Sequence, residues 1–91
     1  MDNTYTIHSI RIKIWHITER KDLLAQQVVE RQALARRQKE EKLSALENNI
    51  SPQEKAQLYK RFRAELRESI LRAKEKWAML EMRQSEELKR L

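Results

Sequence analysis

The chain has 91 residues, of which 37% are charged and 40% apolar, with a net charge of +6, one proline, no glycine and no cysteine. That length bounds it to one domain. Without cysteine there is no disulfide framework and no thiolate metal site. Without glycine, the default residue for left-handed turns, few turns are expected; long helices meet that condition and sheets do not.

No apolar run approaches the ~20 residues of a membrane span. Arg11, Lys13 and His16 break the isoleucine-rich stretch near the start, so no signal-peptide core is read there. The cytoplasm is the expected compartment. A basic balance favours acidic partners, although a long solvated helix also carries many Lys and Arg.

In chain order, residues 1–18 form an N-terminal arm or helix extension of open character. Ile7, Ile10, Ile14 and Ile17 keep helical spacing, whereas Ile10 to Ile14 alternates like a strand. The helical reading is preferred, because a lone strand has no pairing partner in such a chain. Thr18 is a candidate cap for a helix beginning at Glu19.

Residues 19–48 are the first helix. Leu23, Leu24, Val28, Leu34 and Ala35 mark its apolar face, which Leu43 and Leu46 resume. Between them, Arg36 to Lys42 contains no apolar residue.

Residues 49–51 are the turn. Asn48 and Asn49 end the first helix, since Asn tolerates the left-handed conformation. Ser51 is an N-cap, Pro52 occupies the first helical position, and Glu54 completes a capping box. A stop, a short link and a start predict an αα-hairpin. Partners across it should have residue numbers summing to about 99.

Residues 52–91 are the second helix. Its stripe runs Tyr59, Phe62, Leu66, Ile70, Ala73, Trp77, Leu80, Gln84, Leu88 and Leu91 in steps of three or four, and only Gln84 interrupts it. The expected fold class is all-α: a long antiparallel two-helix hairpin, coiled-coil-like, with the N-terminal extension. No internal repeat longer than the helical period is read. Two helices of this length bury little, so the core is expected to be completed by self-association or by a larger partner.

No catalytic set emerges, and no cofactor or metal is expected. His8 and His16 lack a third ligand at metal spacing, and Glu19 after His16 is a weak signal. There is no glycine-rich phosphate loop. The predicted protein interface is Trp15, Tyr59, Phe62, Leu66, Ile70, Trp77 and Leu80. Arg36, Arg37, Lys39, Lys60, Arg61, Arg63 and Arg67 form a basic middle aimed at an acidic partner or nucleic acid. Helical pairs such as Arg36–Glu40, Arg37–Glu41, Arg61–Glu65, Glu68–Arg72 and Glu86–Arg90 neutralise part of its field.

The expected function is non-enzymatic: a structural, scaffolding or adaptor hairpin that binds a protein assembly or itself. A small nucleic-acid-binding protein is the first alternative. A hairpin chaperone or stalk of a secretion or motor machine is the second. A protein partner or homo-oligomer is expected first, an acidic surface next, then nucleic acid; a membrane partner is not.

Overall fold

The computed structural model describes residues 3–91, so residues 1 and 2 of the N-terminal arm lie outside it. Two α-helices, α1 (Asn3–Glu47) and α2 (Pro52–Lys89), fold back on each other in an all-α hairpin, with no strand among the described residues. The molecule measures 73 × 17 × 8 Å, with a radius of gyration of 21.0 Å. A compact domain of this length would have a radius near 12 Å.

The arm is the start of α1, which runs unbroken through residues 18 and 19. Thr18 does not cap a new helix. Its hydroxyl donates back to the Ile14 carbonyl at 3.1 Å, a bond that serves a β-branched residue inside a helix.

The turn follows from local chemistry. Asn49 has φ 49°, the left-handed position that stops α1. Asn49 N–H donates to the Leu46 carbonyl (3.3 Å) and Ile50 N–H to the Ala45 carbonyl (3.4 Å). These are the two bonds of a Schellman motif, and they satisfy carbonyls that the helix end would orphan. Ser51 then caps α2, its Oγ accepting from Glu54 N–H at 3.1 Å, with Pro52 first in the helix. Only this half of the capping box forms among the observed bonds; Lys55 N–H continues the helix to the Ser51 carbonyl at 2.9 Å.

Cross-helix partners have numbers summing to 100 (Gln38 with Phe62) up to 106 (Glu30 with Lys76), close to the expected register. The seam itself differs from the expected one on the α1 side. Leu23 and Leu34 do face inward, but Ala35, Leu24, Val28, Leu43 and Leu46 are exposed. Their places are taken by His16, Glu19, Gln27, Gln38 and Glu41. The reason lies in hydrogen bonding. Three glutamines reach across to backbone carbonyls of the other helix: Gln27 to Ala73 (3.0 Å), Gln38 to Phe62 (3.1 Å) and Gln84 to His16 (3.0 Å).

Gln84, the residue that interrupts the α2 stripe, is therefore the most deeply buried side chain, at 2% exposure. Phe62 is the one buried large apolar residue among those described.

Candidate functional site

The predicted interface residues fall into three environments. Phe62 is inside the seam, at 9% exposure, and meets Tyr59 edge-on at 6.3 Å between ring centroids. The polar segment opposite them covers these rings with stems and charges. The Lys42 ammonium lies 5.7 Å above Tyr59, and Gln38 bonds the Phe62 carbonyl. Trp77 and Leu80 are half-buried, and Leu66 and Ile70 are exposed beside the seam. Trp15 is 59% exposed.

Both broad faces carry open grooves with apolar walls. On one face Gln27, Arg31, Ile70, Ala73 and Trp77 line the first groove, and His16, Ile17, Arg20 and Leu88 line the second; Glu81 borders both. Ile10, Ile14, Leu24 and Val28 extend the Ile17 stripe by helical spacing, and all are exposed. The opposite face has a groove formed by Trp15, Leu23, Met79 and Leu80. The total accessible surface is 7837 Å². A compact monomer of this mass would expose about 5,700 Å².

The charge is divided along the hairpin. Residues 31–76, the turn-proximal half, contain thirteen Lys and Arg against seven Asp and Glu, which is the whole net +6; the rest of the chain is balanced. Within the predicted basic patch, Arg37 bonds both Glu41 (2.9 Å) and Glu65, and Arg61 bonds Glu41. These two cations hold the helices together. Arg36, Lys39, Lys60, Arg63 and Arg67 are exposed and make no ion pair among the described residues. Of the five expected intrahelical pairs, Arg37–Glu41 forms as expected, while Arg61 and Glu65 each reach the other helix instead.

A second network closes the open half, and it has the same plan. Arg83 bonds Glu87 at 2.5 Å and also bonds Glu19, as Arg37 does Glu41 and Glu65. Gln84 donates to the His16 carbonyl as Gln38 does to that of Phe62. Every residue maps onto its counterpart 46 positions away. The sequence basis is a short repeat, Arg37-Gln38-Lys39-Glu40-Glu41 and Arg83-Gln84-Ser85-Glu86-Glu87, contrary to the expectation that no such repeat exists. Four identities in a charge-rich chain carry little weight until the fold places them in equivalent positions.

The open-half clasp also joins residues that sequence reasoning set aside or kept apart. His16 Nε2 donates to Glu87 Oε2 at 2.7 Å, and Arg20 Nε donates to Gln84 Oε1 at 2.8 Å. His16 first, and Arg83 second, hold the Glu87 carboxyl below the usual glutamate range. Glu19, then Glu87, push the Arg83 guanidinium up. His16, Glu19 and Glu87 each offer a ligand atom within 4.8 Å of the others, the one such His and carboxylate group among the described residues. His8 stays exposed and apart.

Among the described residues, no helix is long and apolar enough to cross a membrane. No protein-family model matches the chain, and no curated protein or solved structure does either.

Proposed function

We propose that the chain is a non-enzymatic interaction protein: a helical-hairpin scaffold or adaptor that docks on a larger protein assembly or on a second copy. The observation that carries this reading is surface. The folded hairpin leaves about 2,000 Å² more exposed than a compact chain of its mass would. A standard interface removes about 800 Å² from each partner. Large apolar side chains line both faces, among them Ile10, Ile14, Trp15, Ile70, Met79 and Met82. Patches on this scale mark interaction sites.

The test is association of the purified chain by light scattering over a concentration series, alone and with proteins recovered on it. Leu66→Asp with Ile70→Asp should abolish association without reducing helix content, since both side chains are exposed beside the seam. A wild-type chain that stays a stable folded monomer and retains no protein would sink the reading.

A nucleic-acid role has one observation in its favour. Lys60, Arg63 and Arg67, spaced three and four apart on α2, are exposed and free of ion pairs among the described residues. On this reading, changing all three to Gln lowers affinity for duplex DNA and flattens its salt dependence by about three in log–log slope. Wild-type affinity that does not change with salt excludes it.

A further inference from the structure

We propose that the open-half clasp is a binding site for a divalent transition metal of the zinc class, with His16, Glu19 and Glu87 as its ligands. The inference rests on the difference between two clasps of one design.

In the turn half, Glu41 and Glu65 face two guanidiniums, those of Arg37 and Arg61. Two negative charges meet two positive ones. In the open half, Glu19 and Glu87 share only Arg83. The residue 46 positions before Arg61 is Trp15, which brings no charge. Arg20 is directed at the Gln84 amide instead. The open-half cluster is therefore one permanent positive charge short.

At the position equivalent to Phe62 stands His16, buried to 5% exposure. An apolar ring suffices for the seam there, as Phe62 demonstrates in the other clasp. The imidazole supplies what a phenyl ring does not: a nitrogen donor aimed at the two carboxylates.

The donor atoms are divided in a way that suits an ion. Arg83 takes Glu19 Oε2 and Glu87 Oε1. That leaves His16 Nε2 and Glu87 Oε2, bonded to each other through a proton that an ion would displace, and Glu19 Oε1, which is buried without a hydrogen-bond partner, as is its counterpart Glu65 Oε1 in the turn-half clasp. Zinc holds such donors at about 2.0–2.2 Å, which sets them roughly 3.4 Å apart in a tetrahedron. Small rotamer changes close the present separation of up to 4.8 Å to that value. Arg83 keeps both carboxylates oriented from behind. His16 lines a groove on one face and Glu19 the groove on the other, while the Glu87 side chain is 34% exposed, so an ion reaches the cluster from solvent past Glu87 and a water completes its shell. One imidazole with two carboxylates suits Zn²⁺ or Co²⁺ better than Ca²⁺ or Mg²⁺, which prefer oxygen alone. Bound there, the ion ties α1 to α2 at the end remote from the turn.

The experiment uses the full chain, freed of metal with a chelator. Micromolar Zn²⁺ should raise the Tm measured by circular dichroism, and equal Mg²⁺ or Ca²⁺ should not. Co²⁺ should give the visible absorption of a tetrahedral site. His16→Phe, copied from the Phe62 clasp, should keep full helix content and lose both responses. Glu19→Gln should weaken Zn²⁺ binding by at least about tenfold, and His8→Ala should leave it unchanged. A wild-type chain indifferent to Zn²⁺, or a His16→Phe chain that still binds it, overturns the proposal.

Discussion

At the scale of single residues, polar side chains set the pairing of the helices. Gln84 looks like a flaw in an apolar stripe. It is instead the residue most enclosed by the hairpin, with both amide atoms bonded across the seam. Buried polar groups that are fully bonded fix register more strictly than apolar contacts, because any slip leaves them unsatisfied. Glu87 illustrates the electrostatic side. Its folded pKa lies below the ordinary value because His16 and Arg83 stabilise the carboxylate. The stability it contributes is thus complete above the ordinary glutamate pKa of about 4.3 and is lost as pH falls through the folded value. Urea midpoints measured with chelator present should drop between pH 7 and pH 3, and Glu87→Gln should show a smaller drop. An equal drop in both would remove Glu87 from the account.

At the scale of elements, the turn is the best-specified part. Asn49 supplies the positive φ, Ser51 the cap, and Pro52 the fixed first residue of α2. Ser51→Ala should cost about 1 kcal/mol. Asn49→Gly should be close to neutral, whereas Asn49→Val should cost on the order of 1–2 kcal/mol, since a β-branched residue resists the left-handed region. Thermal unfolding followed by circular dichroism measures all three, and a Val variant as stable as wild type would contradict the assignment. These features were legible from the residues. The interior of α1 was not, because its apolar residues suggest a face rotated away from the one that α2 covers. Leu24, Val28, Leu43 and Leu46 point to that face, and all four remain exposed.

At the scale of the molecule, the hairpin is a thin slab with its grooves along the broad faces. For the self-association proposed above, grooves along the broad faces imply a side-by-side arrangement. Two copies whose axes lie about 8–10 Å apart would double the mass and leave the radius of gyration within a few ångströms of 21.0 Å. Small-angle X-ray scattering checks this, and a radius that rises steeply with mass would show end-to-end growth instead. Charge agrees with a division of labour. The turn half holds the entire net +6, and a dimer that places those halves apart keeps them beyond the Debye length of about 8 Å at physiological salt.

The sequence by itself determined the class and the connection: no glycine, a capped start after two asparagines, and one apolar stripe on α2 lead to a hairpin in this register. It also marked the basic middle. Only the tertiary structure decided which of those cations are free. Arg37 and Arg61 are spent holding Glu41 and Glu65, while Lys60, Arg63 and Arg67 face outward. It alone brought Glu87 to His16, 71 residues away in the chain. The physical reason is the same in both cases. Helical periodicity places a residue on a face, but a charged or amide side chain acquires its role from the group that the opposite helix sets within hydrogen-bond reach.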